Sequence, residues 1–309
     1  MCPLTKINAE YSGYQHADYA HSFKKYGTPR ELTHSKGWVI ERTIPNTPYY
    51  DAMGCYPLFQ CQHWECLPDD LQALGNGELV SLVMVSEPML DNSMQHIFKH
   101  FDIAQPFRAH YFIDLERPLE QSMARRHRRY VGKASKVLDI DIPEQPLTYL
   151  DEWCGLYQLM MQRHNCNDIR AFSRESFRQL LSMPGVILFR ALKNNQVVGA
   201  QIMVLSGEVG YFHLVGFTEE GYKNSVSYFL TWQAMVYFQG RCRFLNQGGG
   251  KSLEGNDGLS IFKQGWSTEQ RMTYLLGAVL NPTIYTQLSS DDRLKQSNYF
   301  PRYRTGEYS

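Results

Sequence analysis

Two stretches of this chain carry residues whose types and spacing can do chemistry. The first is Gln247-Gly-Gly-Gly250, followed by Asp257-Gly-Leu-Ser-Ile-Phe-Lys-Gln-Gly-Trp266. Three consecutive glycines (Gly248, Gly249, Gly250) permit positive φ and a close backbone approach to a ligand. Lys263 lies on a short segment bounded by Gly258 and Gly265, with apolar Leu259, Ile261 and Phe262 to anchor it. A lysine fixed in this way can stabilise the oxyanion of an acyl transfer, because preorganised positive charge acts on developing negative charge. The same residues also read as an exposed polar loop with a solvated lysine.

The second stretch is Arg125-Arg-His-Arg-Arg-Tyr-Val-Gly-Lys133, continuing to Lys136 without an acidic residue. On a helix, Arg125, Arg129, Lys133 and Lys136 share one face. Such a row can hold a diphosphate or an RNA backbone, or it can be a solvated basic surface. Arg129-Tyr-Val-Gly-Lys-Ala134 also matches the loose Arg-x-x-Gly-x-Ala pyrophosphate pattern of coenzyme A enzymes, but in the wrong element, so the match is set aside. Cys61, His63 and Cys66, with Cys55 nearby, fit no standard zinc spacing and read as core packing. His164-Asn-Cys166 is too local to define a nucleophile and its base. Asp257, His213 and Tyr211 are the candidates for a general base, a role that geometry has to decide.

The elements that must position these residues are those of an ordinary globular chain. It has 309 residues, 43% hydrophobic and 20% charged, which excludes disorder, collagen and long coiled coils. The best apolar run, Leu79–Val85, is strand-sized, far short of the roughly 18–20 residues of a membrane helix. The polar start lacks the apolar core of a signal peptide, so a cytoplasmic protein is expected. With 31 basic and 31 acidic residues, any polyanion has to be met by a local patch. Seven cysteines without a CxxC pair fit reduced thiols.

The first hundred residues read as short pieces punctuated by Pro45, Pro48, Pro57 and Pro68, with a turn at Gly75-Asn-Gly77 before a buried strand at 79–85. From Ala109 the pattern sharpens. A strand at 109–115 leads into a helix expected from Pro118 to about Leu138, on the spacing of Leu119, Met123, Tyr130, Ala134 and Val137. Helices follow at 149–164 and after Ser173, a plausible N-cap. Strands at 186–192, 197–205 and 208–215 are separated by Asn194-Asn195 and Ser206-Gly207 turns. An apolar helix at 225–239 ends at Gly240. Strands at 242–246 and 271–280 flank the glycine loop and a short helical piece. This order is an α/β (α+β) mixed sheet flanked by helices, close to the topology of the GNAT acetyltransferase superfamily. In that fold a central sheet splays open and the helix after the fourth strand points its N-terminus at a ligand's phosphates.

Asp114-Leu before the basic helix, the helix at 222–239, and Phe244–Gly250 with Asp257–Trp266 together resemble the FemAB-like branch of GNAT proteins. That branch carries a Gly-Gly, then Leu-x-x-Phe-Lys-x-x-Phe signature. The single-chain type associated with bacterial surface-polysaccharide genes is similar also at Tyr49-Tyr-Asp51, Tyr56-Pro-Leu-Phe59, Leu79–Val83, Pro106-Phe-Arg-Ala-His110 and Tyr299–Arg304. The likeness covers about 38–304.

The resemblance implies two GNAT-like halves with a substrate cleft between them: a shortened one at 1–108 and a catalytic one at 109–309. It implies transfer of an acyl or aminoacyl group from acyl-CoA or aminoacyl-tRNA, used as co-substrate with no permanently bound cofactor or metal. The acceptor would be an amine of an amino sugar or of a nucleotide-linked cell-envelope precursor. Carried over, Lys263 becomes the oxyanion stabiliser with the Phe262 backbone assisting and Asp257 beside them. Arg129 and Lys133 become phosphate binders, and Tyr211, His213 and the glycines line the substrate. Trp266 stands where the signature has Phe. The loop 217–227 lacks the glycine-rich run that cradles coenzyme A in other GNATs, leaving Tyr222, Lys223, Asn224 and Ser225 as its donors and Gly221 as its one glycine. A non-catalytic module binding carbohydrate or RNA is the rival reading.

Overall fold

Strands form where β-branched and aromatic residues run together, and Pro, Gly and Asn set their ends. The computed structural model describes residues 13–90, 92–165, 170–250 and 255–307. In chain order it holds α1 (Ala17–His21), β1 (Thr28–Glu31), β2 (Trp38–Thr43), β3 (Tyr50–Gly54), α2 (Leu67–Gly75), β4 (Leu79–Val85) and β5 (Ile103–Asp114). Next come α3 (Arg125–Ala134), β6 (Asp139–Asp141), α4 (Leu150–His164), α5 (Arg174–Ser182), β7 (Val186–Lys193), β8 (Gln196–Ser206) and β9 (Val209–Phe217). The remainder is α6 (Glu219–Lys223), α7 (Val226–Phe238), β10 (Phe244–Gly249), α8 (Gly258–Gln264), β11 (Glu269–Val279), α9 (Pro282–Leu288) and α10 (Asp292–Lys295). The chain divides into two units: it passes from one to the other within β5, returns to the first for 170–176, leaves it again within α5, and comes back within β11.

The first unit takes in the described residues of 14–107, 170–176 and 272–307. Its strands run in the order β1-β2-β3-β4-β11, with β3 and β4 parallel and the other neighbours antiparallel. Leu67, Leu71 and Leu74 of α2 pack on Val39, Ala52, Leu82 and Leu276. Pro68 does not interrupt this segment. It sits in the first turn of α2, where a missing N–H leaves no bond unmade. Residues 272–307 are held here by a buried network: Asp51, fully buried, accepts from Arg304 Nε at 2.7 Å and from Arg42 Nε at 3.1 Å. Glu307 accepts from both guanidinium groups, at 2.8 and 3.2 Å.

The second unit takes in the described residues of 108–166 and 177–271, with strand order β5-β10-β9-β8-β7-β6. Only β9 and β10 are parallel. Its core joins Ile113, Phe189, Met203 and Leu245 of the sheet to Phe229, Leu230, Met235 and Phe238 of α7, a helix apolar on nearly every side and correspondingly buried. Asn194 and Asn195 both take positive φ in the β7–β8 turn, and Ser173 caps α5 by accepting from Ser176 N–H at 3.0 Å.

The expected helix at 118–138 is shorter. Ala124 N–H donates to Gly265 O at 2.8 Å instead of to a helical carbonyl, so α3 starts at Arg125. Leu119 and Met123, spaced as on a helix, reach the core from a turn.

Candidate active site

The site is built where β9 and β10 part. Their parallel pairing ends at Asn246 and Tyr211, while β9 continues to Phe217 against β8 and β10 continues to Gly249 against β5. Both strands carry an extra residue at this point. On β9, Phe212 to Leu214 spans what Met203 and Ile202 span on β8, which makes His213 the bulged residue. On β10, Asn246 to Gly249 spans what Phe112 to His110 spans on β5. A bulge bends its strand and increases the local twist, so two bulges side by side open the sheet.

Buried polar groups clamp the bulge of β10. Asn246 Oδ1 accepts from Gly248 N–H at 2.8 Å, and Gly248 needs the left-handed conformation it holds at φ +74°. The same oxygen lies 3.2 Å from His110 Nδ1. Gln247 Nε2 donates to Lys263 O at 3.2 Å, joining the bulge to α8. Gly250 presses on the first turn of that helix: a Cβ on it would stand 1.9 Å from Ser260 Oγ.

Asp257 caps α8, accepting from Leu259 N–H at 3.0 Å, Ser260 N–H at 3.1 Å and Ser260 Oγ at 2.6 Å. Its carboxylate is engaged in holding the helix. One face of α8 is anchored by rings, with Phe262 packed edge-on against Tyr228 and His127. His127 in turn stacks on Trp266 at 4.9 Å and 5°. Gly265 makes this stack possible, because a Cβ there would fall 1.6 Å from His127 Cε1. Leu259 and Ile261, expected as anchors, are exposed, and Phe262 and Trp266 do that work.

Lys263 is the residue next to Phe262. Its Nζ donates to Gly249 O at 2.6 Å, and burial pulls its pKa down from 10.5 to about 8, with Asp257 opposing the shift. An ammonium that is only partly solvated and tied to a fixed carbonyl is poised to trade that partner for a developing oxyanion. His110 is pushed down to about 3 by burial, and next by the nearby charge of Lys263, so it is a neutral imidazole. Lys263, the three glycines, His110 and Asn246 thus gather in one place. Tyr211 and His213 lie on β9 at the parting point, buried in the strand, and burial also pushes His213 down to about 3.

The other proposed residues lie elsewhere. Arg125, Arg129, Lys133 and Lys136 are exposed along α3 and the turn after it, and no described carboxylate lies within ion-pair distance of any of them. Tyr222, Lys223, Asn224 and Ser225 mark the α6–α7 junction. There Glu219 and Glu220 occupy the first turn of α6, where a phosphate would need positive field. Arg163 pairs with Glu219 and lies 4.1 Å over the Tyr222 ring, and Asn224 Nδ2 donates to Glu220 O at 2.7 Å. Gly221 serves packing, since its Cβ would fall 2.2 Å from Val198 O.

Among the described residues no three His, Cys, Asp or Glu side chains gather as metal ligands, and Cys55 and Cys61 are buried in the first unit. Cys166 lies outside the described residues. A cavity of about 310 Å³ opens beside the C-terminal end of α8, lined by Arg117, Gln121, Ser122, Gln264 and Thr268 among others. The reading of the sequence missed His110 and Asn246 as site residues. The available signal was Asn246-Gln247 at the end of an otherwise apolar strand, since buried polar side chains need partners.

No family model matches the sequence, and no curated protein matches it. Solved structures do match. FemX superposes with a TM-score of 0.69 at 12% identity over 91% of this chain and 96% of its own. The C-terminal domain of a putative lysylphosphatidylglycerol synthetase from Agrobacterium fabrum gives 0.64 at 12% identity, over 93% and 94%. L-PGS from Bacillus licheniformis gives 0.57 at 11%, over 89% and 96%. No helix among the described residues is long and apolar enough to cross a membrane. With its splayed mixed sheet and these neighbours, the chain has the GNAT-like fold of the FemAB type.

Proposed function

We propose that this chain is an aminoacyltransferase, forming an amide between an aminoacyl group delivered as an ester on tRNA and an amine of an amino-sugar or nucleotide-linked cell-envelope precursor. The observation that carries the reading is Lys263, whose Nζ ends at Gly249 O where β9 and β10 separate. In this mechanism the amine nitrogen attacks the ester carbonyl, the oxyanion forms beside the ammonium of Lys263, and Phe262 fixes α8 through its ring. Likeness of fold to FemX and to a putative lysylphosphatidylglycerol synthetase supports transfer of an aminoacyl group.

Two features favour tRNA over acyl-CoA as the carrier. The acidic first turn of α6 and the internal bonds of Tyr222 and Asn224 offer no cradle for a pyrophosphate. The exposed basic face of α3, with Arg129 and Lys133, offers one for an RNA backbone. The test is transfer from bulk tRNA charged with radiolabelled amino acids to a panel of UDP-linked amino sugars. Lys263→Ala should lower kcat by about 10²–10³-fold with KM little changed. Transfer from acetyl-CoA in place of charged tRNA would overturn the choice of carrier. An unaltered kcat in Lys263→Ala would remove the lysine from the chemistry. Tight RNA or glycan binding without any transfer would favour the binding-module reading.

A further inference from the structure

The transfer needs a proton moved: the attacking amine becomes positive as its bond to carbon forms, and the ribose oxygen leaves as an alkoxide unless it is protonated. Asp257 is bound up in the cap of α8. The hydrogen bonds around Asn246 assign the task to a different group. Gly248 N–H can only donate, so the Asn246 atom that receives it at 2.8 Å is the amide oxygen. That oxygen also faces His110 Nδ1 at 3.2 Å, and two acceptors cannot share a hydrogen bond. Nδ1 therefore carries the proton, and the neutral ring keeps its lone pair on Nε2.

The edge of the ring bearing that lone pair faces the glycine loop. His110 Cδ2, bonded to Nε2, lies 3.4 Å from the point where a Cβ on Gly249 would stand, and Gly249 O is the partner of Lys263 Nζ. The same Cβ would stand 2.9 Å from Arg108 Cβ, so glycine at 249 is what lets the ring and the Arg108 stem both sit against this point of the loop. Lys263 thus approaches Gly249 from α8 and His110 approaches it from β5, and the two are close enough for the charge of one to depress the basicity of the other.

We propose that His110 is the proton carrier of the transfer, taking the proton of the attacking amine on Nε2 and delivering it to the leaving oxygen. This rests on the aminoacyl-transfer reading above. A neutral amine adds to the ester carbon, the C=O π pair moves to the oxygen beside Lys263, and the nitrogen gives its proton to Nε2. The oxyanion then re-forms the carbonyl, the bond from carbon to the ribose oxygen breaks, and that oxygen takes the proton from Nε2. The products are an amide and a free hydroxyl, and His110 ends as it began.

The test compares wild type and His110→Gln on two donors: bulk charged tRNA, and aminoacyl thioesters of N-acetylcysteamine, whose thiolate leaves without needing a proton. The expected result is a kcat loss of about 10²–10⁴-fold on the tRNA ester with KM little changed, shrinking to less than about tenfold on the thioester. Equal losses on both donors would mean a structural histidine and overturn the proposal. Should the variant fold poorly, ¹⁵N NMR of the histidines in wild type decides independently. A protonated Nδ1 and a bare Nε2 at His110 are required, and the opposite tautomer refutes the proposal whatever the activity. A wild type that transfers from no donor removes the aminoacyl reading and the carrier with it, whereas an unimpaired His110→Gln beside an active wild type removes only the carrier.

Discussion

Lys263→Met separates the chemistry of the site from its stability. In the folded chain the lysine has a pKa of about 8 in place of 10.5, with desolvation as the main cause. At 1.36 kcal/mol per pH unit, that difference makes the charged lysine a burden of about 3 kcal/mol on the fold at pH 7. Methionine has a similar length and no charge, but it leaves Gly249 O without its charged donor at 2.6 Å, a loss of about 1.5 kcal/mol. The variant should therefore be more stable than wild type at pH 7 by about 1–2 kcal/mol while losing its turnover.

The sign of this advantage depends on pH. Between about 8 and 10.5 the unfolded lysine still holds its proton while the folded one has released it. The unfolded state then binds more protons, so wild-type stability rises with pH by about 1.36 kcal/mol per unit, and the methionine variant has no matching gain. Above 10.5 the burden is gone and wild type should be the more stable by the value of the lost hydrogen bond. Urea unfolding of both proteins at several pH values through this window measures the difference directly. A difference that stays flat from pH 7 to pH 10 would show that Lys263 is solvated, and the argument for an oxyanion stabiliser would lose its physical basis. Turnover of wild type should fall as pH rises through about 8, when the ammonium is lost.

Four further outcomes follow from particular residues. Arg304→Ala strands the buried Asp51 carboxylate beside one guanidinium instead of two, and should destabilise the first unit by about 3–5 kcal/mol, read as a lower urea midpoint. Gly265→Ala drives a methyl to within 1.6 Å of His127 Cε1 and should displace α8, lowering turnover and stability together. Gly132→Ala, in the interior of α3 with nothing within 4 Å, should instead add about 0.5–1 kcal/mol. Arg129→Glu with Lys133→Glu should weaken tRNA binding uniformly across sequences and reduce the slope of log affinity against log salt by about 1–2, measured by filter binding at several salt concentrations. A slope unchanged from wild type would place the RNA elsewhere.

Much of the second unit was legible because its local and tertiary preferences agree. Positive φ at Asn194 and Asn195, the Ser173 cap and the all-round apolar α7 are each specified by neighbouring residues. The segment 118–124 was misread for the opposite reason. Leu119 and Met123 recur at a helical interval, but the backbone of Ala124 is captured by Gly265, 141 residues along the chain, which no local pattern encodes. The short strands β1 and β3, Thr-Pro-Arg-Glu and Tyr-Asp-Ala-Met-Gly, are also set by pairing rather than propensity. Within the site, the lysine and glycines stood out by composition. His110 did not, because its meaning lies in a hydrogen bond to Asn246, 136 residues away.

That division reflects what each residue does to the fold. A charged lysine drawn out of water and the buried polar side chains of Asn246 and Gln247 are unfavourable where they stand unless partnered. They are held by the Asp257 cap, the His127–Trp266 stack, and the bulge that Asn246 clamps. A chain selected for stability alone would not assemble them, since methionine at 263 satisfies the packing and removes the burden. Local rules broken together at one point, with dedicated supports around it, mark the parting of β9 and β10 as the place where this fold does its chemistry. The same reasoning says where it does not. Cys55 and Cys61 are buried, and burial pushes their thiols upward, with the carboxylates of Glu87 and Asp70 adding to the rise at Cys61, as expected of side chains that fill space and stay protonated.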